Sequence, residues 1–286
     1  MIHVIIPVFN RLNYTIKCLY SLKNQKNYDD LKIIVVDDGS TDGTKQYLKN
    51  NFPQITVLNG SGSLFWGGAI SLGIEYVIKI SQSKDWVLLV NNDVELSQDA
   101  ISNLIKEAEK RNRKVIVGAL TINAEDKTTI ITSGTIVKSW FLNITKHVYK
   151  DFSVNQIHNR EPIMVDFLTG RSLLHPVEIF NTAGNYDAQT FPHYGADDEF
   201  SMRVKKYGYL TLLCSSSIVF LHPNEKYETK KINFKNFFFT IFGKKSSSNI
   251  INKFNLTLKV VPFHAKISFF LIGIMKSVYI FLKNDR

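Results

Sequence analysis

The stretch Trp86-Val87-Leu88-Leu89-Val90-Asn91-Asn92-Asp93 constrains the chain most: five apolar residues in a row, then two amides and a carboxylate. An apolar run without alternation is buried on both faces, which is the condition of a strand inside a mostly parallel sheet. Open sheets of that kind bind ligands in the crevice outside the carboxyl ends of their strands. Asp93 is thereby aimed at a site.

Strand and helix patterns alternate around that run. Ile2 to Val8 reads as a buried first strand, and a helix with Ile16, Leu19, Tyr20 and Leu22 on one face follows it. Leu31 to Val36 is a second strand, running into Asp37-Asp38-Gly39-Ser40-Thr41-Asp42-Gly43, a turn in which Ser40, Thr41 or Asp42 can cap the next helix. Ile55 to Leu58 is a short third strand. The glycine-rich loop Asn59 to Gly68 carries Phe65, Trp66 and Gly67, and then Ile70, Ile74, Val77 and Ile78 repeat at helical spacing. After the Asp93 strand, Ser97 to Lys110 predicts an amphipathic helix with Ile101, Leu104, Ile105 and Ala108 inward, and Val115 to Leu120 a strand. This alternation predicts an α/β fold with a doubly wound sheet.

From about Asp126 the pattern turns to the β-prone segments Thr128 to Val137, Trp140 to Tyr149, Ile163 to Leu168 and Ser172 to Leu174, which should add antiparallel strands to the same sheet. Gly170, in Thr169-Gly170-Arg171, permits a close approach to a ligand or a bulge. A short helix with Met202 and Val204 inward begins near Asp197-Asp198-Glu199. The strands Leu210 to Cys214 and Ile218 to Leu221 follow, and His222-Pro223 closes the folded part.

The net charge of +10 is unevenly placed: residues 222–286 hold 12 Lys and Arg against 3 Asp and Glu, which leaves residues 1–221 close to neutral. Nucleic acid is therefore not the expected partner. A basic tail at 223–286, interleaved with Phe, Ile and Leu, suits an anionic membrane surface. Phe234, Phe237, Phe238, Ile241 and Phe242 make one helical stripe there, and a second apolar group runs from Ile267 to Leu282. Packing on the catalytic domain or on a second subunit, as a homodimer, would cover the same faces. No stretch reaches the roughly 20 apolar residues that span a bilayer. The N-terminus enters a strand without the features of a signal peptide, so a cytoplasmic location at the inner face of the membrane is expected. Cys18 and Cys214, far apart and without metal spacing, read as buried small hydrophobes.

Three constellations carry chemistry. Asp93 at a strand end can hold Mg²⁺ or Mn²⁺, which take one or two carboxylates and complete their shell with water and substrate phosphates, or it can cap the next helix. Asp37 and Asp38 can accept hydrogen bonds from a base or ribose, or serve only the turn. Asp197, Asp198 and Glu199 crowd like charges, which raises a proton affinity and suits a general base; acids are also favoured in a first helical turn. His222 fits a ligand or an ordinary loop histidine. Pro7 to Arg11 lacks the glycine fingerprint of a nicotinamide site.

The order and spacing of Pro7-Val8-Phe9-Asn10-Arg11, Val35 to Asp42, Asn91-Asn92-Asp93 and the acidic cluster with Arg203 resemble glycosyltransferase family 2, of the GT-A fold, over about residues 2–222. The segments Leu64 to Ala69 and Pro192 to Asp197 resemble a bacterial subgroup that builds surface polysaccharides and includes rhamnosyltransferases. The resemblance implies a catalytic domain at 1–222, with a nucleotide-binding half at 1–120 and an acceptor-binding half at 121–222. It implies an inverting, metal-dependent transfer from a nucleoside-diphosphate sugar, UDP- or dTDP-linked, dTDP-rhamnose among them, to a saccharide or lipid-linked acceptor.

By the same resemblance, Pro7, Asn10 and Arg11 border the nucleotide, and Asp38, with Asp37, meets base or ribose. Trp66, Gly67, Asn92, Gly170 and Arg171 lie near substrate. Asp93 ends a metal motif whose usual Asp-x-Asp form has Asn91 in first place here, either binding through its carbonyl oxygen or only touching the ribose. His222 matches a histidine that contacts metal or diphosphate. Asp197 matches the base, with Asp198 as second candidate, and Glu199 matches a position that orients the acceptor. Two other readings compete: a sugar-nucleotide nucleotidylyltransferase, which would need a glycine-rich basic loop where Pro7 to Arg11 stands, and a noncatalytic binder of anionic polymers.

Overall fold

The computed structural model describes residues 1–157, 160–222, 241–243, 246 and 248–284, with side chains as far as 279. Four parallel strands form its first half: β1 (Ile2–Val8), β2 (Leu31–Asp37), β3 (Thr56–Asn59) and β4 (Trp86–Val90). They alternate with helices α1 (Leu12–Lys23), α2 (Thr44–Asn51) and α3 (Phe65–Ile80). Ile5 and Leu89 face one core, with Ile70 and Ile74 of α3. Val4, Ile6 and Leu88 face the other, with Leu19 and Leu22 of α1. The unbroken apolar runs are thus buried on both sides, as a doubly wound sheet requires.

The second half adds β5 (Val94–Leu96), α4 (Ala100–Glu109), β6 (Val115–Asn123), β7 (Ile130–Thr132), β8 (Thr135–Ser139), β9 (Ile144–His147), α5 (Val154–Ile157) and β10 (Ile163–Met164). There follow β11 (Ser172–Pro176), α6 (Ile179–Ala183), α7 (Ala196–Lys205) and β12 (Leu210–Leu221), then α8 (Ile250–Val260) and α9 (Lys266–Asn284). The sheet order is β10-β12-β6-β11-β4-β1-β2-β3, with β5 on β12 and β7 on β6. β11 runs antiparallel to both of its neighbours. The sheet is therefore mixed.

β1 lies between β2 and β4, so the strand order reverses beside it, and the ligand crevice expected at such a switch point falls at the carboxyl ends of β1 and β4. Pairing of β1 with β4 stops at Ile5 opposite Leu89, while pairing with β2 continues to Val8 opposite Asp37. Pro7, which has no N–H to give, stands where only one neighbour remains.

Several expectations need correction. Tyr20 is exposed and packs edge-on against Phe52, because the inward face of α1 is made by Thr15, Cys18, Leu19 and Leu22, whose small members let the helix sit close. Ile78 is exposed as well. Phe65, Trp66 and Gly67 open α3 instead of lying in a loop. The β8–β9 hairpin forms its own two-stranded sheet, because β6 already carries β11 on one side and β12 on the other, and only β7 finds room at its end. Leu210 to Leu221 is one strand with an irregularity between Cys214 and Ile218, where Ser215 and Ser217 donate to the Arg160 and Ala100 carbonyls. The short β5, which pairs with its second half, has no sequence signature. Both cysteines are buried, as expected.

Of the first tail stripe, Phe234, Phe237 and Phe238 lie outside the described residues. α8 and α9 form a helical hairpin whose α8 lies against α7. Among the described residues no helix is long and apolar enough to cross a membrane.

Gly73 reports how tightly α3 sits on β1. A Cβ there would stand 2.5 Å from Ile5 Cγ2. Helix propensity alone favours Ala over Gly by about 1 kcal/mol, but overpacking a buried contact costs about 1–3 kcal/mol. Ile5 is fully buried and cannot give way. We therefore expect Gly73→Ala to lower the urea midpoint, with a net loss of about 1 kcal/mol; an unchanged or raised midpoint would show that the helix–strand contact is looser than this.

Candidate active site

Two turns border the crevice and are laced together. Asn10 and Arg11 both adopt left-handed backbone, at φ 59° and 64°, which turns the chain sharply from β1 into α1. The Asn10 N–H donates to Ser40 Oγ at 2.8 Å, its side-chain oxygen accepts the Thr41 N–H at 2.9 Å, and the Leu12 N–H donates to the Asp42 carboxylate at 2.7 Å. Asp42 also accepts from Thr44 at the start of α2. These bonds outweigh its partial desolvation and hold its carboxyl below the usual range. The DGSTDG turn therefore braces the first βα turn as well as its own helix.

Asp37 and Asp38 are both buried. Asp37 accepts the Ser40 N–H at 2.9 Å. Asp38 accepts the Gly62 N–H at 2.8 Å through Oδ1, and the Leu64 and Phe65 N–H groups at 2.9 and 3.2 Å through Oδ2. It shapes the loop before α3 and satisfies amides at that helix's start. Gly60 is required here, since a Cβ would lie 2.6 Å from Asp38 Oδ1. A ribose or base would have to share oxygens that three amides already use.

Asp93 sits opposite Arg11, whose Nη1 donates to Oδ2 at 3.3 Å across the crevice. Its other oxygen, Oδ1, is buried and has no hydrogen-bond partner. An ionised oxygen left in that state is costly, and a cation is what completes it. That donor set fits a divalent ion held by one protein carboxylate and by ligands from the substrate. Among the described residues no cluster of three or more His, Cys, Asp or Glu forms a closed cage. His222 is adjacent: its N–H donates to the Asp93 carbonyl at 3.0 Å, its ring lies 5.8 Å from that of Tyr14, and its Nε2 pairs with Glu95. Nothing in the sequence singles out Glu95 or Tyr14.

The other residues of that strand end divide. The Asn92 side chain is buried and donates to Thr15 Oγ1 at 3.0 Å, so it ties β4 to α1 and does not open to the crevice. Asn91 Oδ1 accepts the Trp66 indole N–H at 2.9 Å, and the Asn91 N–H donates to the Arg171 carbonyl at 3.2 Å. Trp66 in turn lies on Gly170, where a Cβ would come within 2.1 Å of the indole ring. The close approach foreseen at Gly170 is made by a tryptophan. Gly67 is pressed against the Phe191 and Pro192 carbonyls, and its N–H donates to Pro192 at 2.8 Å.

The acidic cluster opens α7. Asp197 Oδ2 accepts the Gly170 N–H at 3.2 Å and Oδ1 accepts the Asp198 N–H at 3.1 Å. Desolvation raises the proton affinity of Asp197, offset by those two amides and by the charge of Arg171. Asp198 is raised by desolvation and then by the charge of Asp197. The pair therefore tends to hold one proton between them. Glu199 is buried, and both its oxygens are taken by Arg203, at 2.9 Å from Nε to Oε1 and 2.9 Å from Nη2 to Oε2. Arg203 also donates to the Ala183 and Asn185 carbonyls. Glu199 thus anchors α7 through Arg203. Behind the cluster, Tyr186 stacks on Phe200 at 4.3 Å, meets Trp66 edge-on at 5.8 Å and bonds His175 at 3.0 Å. Burial keeps His175 neutral, its pKa lowered to about 3.

Solved structures share this architecture. The mannosyltransferase PcManGT of Pyrobaculum calidifontis, solved with GDP-mannose and Mn²⁺, superposes with a TM-score of 0.60 over 99% of this chain and 72% of that one, at 14% identity. GalNAc-T7, solved with UDP, GalNAc and Mn²⁺, gives a TM-score of 0.62 over 79% of this chain and 44% of that one, at 15% identity. At such identities the likeness establishes the fold, which is GT-A. In sequence, the N-acetylglucosaminyl-diphospho-decaprenol L-rhamnosyltransferase of Mycobacterium tuberculosis is 24% identical over 209 residues, 67% of this chain and 66% of that protein. The chain therefore spans about two thirds of that relative's length. The family described as Glycosyl transferase family 2 matches residues 3–171, more than half of the chain and the site residues from Pro7 to Arg171, so the chain belongs to glycosyltransferase family 2.

Proposed function

We propose that this glycosyltransferase moves a sugar from a UDP- or dTDP-linked donor, with dTDP-rhamnose as the leading candidate, to a hydroxyl of a lipid-carried saccharide in the synthesis of a bacterial surface polysaccharide, with inversion at the anomeric carbon. The observation that carries the mechanism is the pair of bonds made by two consecutive residues. Gly170 donates to Asp197, and Arg171 accepts from Asn91, two residues before Asp93. An acid at an acceptor's side and a strand end at a donor's side are thus tied to adjacent residues. The rhamnosyltransferase named above, whose name gives a diphospho-decaprenol-linked N-acetylglucosamine as its acceptor, supports the choice of donor and acceptor.

In this reading Asp197 takes the proton of the acceptor hydroxyl as its oxygen attacks the anomeric carbon, and the bond to the nucleoside diphosphate breaks on the opposite face. Gly170 and the Asp198 amide aim the Asp197 carboxylate. Desolvation keeps the proton affinity of Asp197 high. Asn91 holds Trp66 as the wall between the two halves, and Arg11 supplies a positive charge at the crevice. Asp93, with His222 adjoining, would hold Mg²⁺ or Mn²⁺, whose chemistry there is to neutralise charge on the departing diphosphate.

Thermal unfolding against UDP, dTDP and GDP, with and without Mn²⁺, tests the donor side. One nucleotide should raise the midpoint, more so with metal, and Asp93→Ala should remove the metal-dependent part. No shift with any of the three would overturn the donor assignment. Asp197→Asn should still bind that nucleotide but lose turnover by about 10²–10⁴; the assignment of the base fails if Asp198→Asn has that phenotype and Asp197→Asn does not.

The pH profile gives an independent check. A base works ionised, so turnover falls as pH drops through its pKa, and a raised pKa moves that acid limb above the ordinary carboxylate range. Asp198, pushed up to about 8 by desolvation and by the charge of Asp197, is neutral while Asp197 titrates. Asp198→Asn should therefore leave the acid limb in place, and a limb that moves would show that Asp198 carries charge in that range.

A further inference from the structure

The hairpin α8–α9 carries an apolar face that nothing in the described structure covers. Ile251, Phe254 and Leu258 are exposed along α8, and Ile267, Leu271, Met275 and Tyr279 follow at four-residue spacing along α9. The helices touch through Phe254 and Phe270, whose rings are 5.4 Å apart. Phe263, in the short turn between them, is 91% exposed, and Ile267 is 79% exposed. Scattered surface hydrophobics are ordinary, but a run of this density on one hairpin marks a surface built to be covered.

Charge identifies what covers it. The described residues between 241 and 284 include no Asp or Glu, while Lys253, Lys259, Lys266 and Lys276 are cationic. Lys259 pairs with Asp187. Lys253 donates to Ser277 Oγ, Lys266 to the Leu258 carbonyl and Lys276 to the Asn143 carbonyl, all neutral partners that fix the side chains without cancelling their charge. A two-fold contact sets the same patch against itself, so a second copy would bring lysine against lysine. An anionic bilayer accepts both the apolar face and the cations. We propose that α8–α9 is a membrane-docking hairpin that lies in the surface of an anionic phospholipid bilayer with Phe263 as its inserting tip. This deepens the proposed function and rests on it only for the lipid-carried acceptor.

The hairpin is also fixed to the acid-bearing side of the site. Lys259 pairs with Asp187 and lies over the Phe191 ring, whose edge packs on Gly195, the residue that starts α7. On its other side Asn143 donates to the Phe269 carbonyl at 3.0 Å, and Trp140 lies 5.8 Å from the Phe269 ring. Docking therefore sets Asp197 at a defined orientation to the lipid surface.

Flotation with vesicles of equimolar phosphatidylglycerol and phosphatidylcholine, against phosphatidylcholine alone, tests this without donor or acceptor. The full chain should float with the anionic vesicles, and binding should fall as salt rises. The double variant Phe263→Asp with Ile267→Asp should lose binding at least tenfold while its thermal unfolding midpoint is unchanged, since both side chains are exposed. Equal binding by that variant, or no binding of the parent chain to anionic vesicles, would overturn the proposal. So would a parent dimer that the double variant converts to monomer. Because neither nucleotide nor acceptor enters the assay, its failure leaves the glycosyltransferase reading to its own tests.

Discussion

The site depends on the direction of one strand. β11 enters the sheet antiparallel between β4 and β6, so its first residue, Ser172, pairs with Val90, the last residue of β4. Gly170 and Arg171 are thereby delivered beside Asn91, and Asp197 can reach the Gly170 amide. A parallel β11 would place Ser172 beside the start of β4, roughly 13 Å away at the usual rise of ~3.3 Å per residue. The parallel half of the sheet makes a crevice at the β1–β4 switch point, and a single antiparallel strand brings the acidic helix to it.

Contacts too close for a side chain hold that geometry. Trp66 fills the space over Gly170 while its indole N–H is fixed on Asn91, and Gly67 lets the start of α3 approach the Phe191 and Pro192 carbonyls. Interiors packed to this density move as units. A shift of the Trp66 ring would disturb the strand end and the peptide that aims Asp197 together. Tyr186 extends the contact into the core, between Trp66, Phe200 and the neutral His175.

Local pattern made part of this legible. An unbroken apolar run ending in Asp93 locates a strand end, and alternation with helices defines the sheet class, because both follow from burial along a few residues. The acidic cluster before α7 is visible for the same reason. What Asp38 does was not legible, since its partners Gly62, Leu64 and Phe65 become neighbours only once β2 and α3 are placed. Asn92 and Glu199 resemble ligand-facing residues in one dimension, yet Thr15 and Arg203 claim them through packing. Gly170 left a ligand and a bulge as alternatives, and the fold supplied a third partner, an indole. The β8–β9 hairpin went astray because strand propensity does not say whether a sheet still has a free edge.

The electrostatics of the crevice follow from a deficit on one side and an excess on the other. At the end of β4 a single carboxylate has one oxygen held by Arg11 and the other buried without a partner, so that point is short of positive charge. At the start of α7 two adjacent carboxylates share a poorly solvated space, so their proton affinity is raised. In the proposed reaction a cation arriving with an anionic donor would relieve the first condition, and the proton of an acceptor hydroxyl would pass to the second. The Asn91–Arg171 and Gly170–Asp197 bonds keep the two points a fixed distance apart.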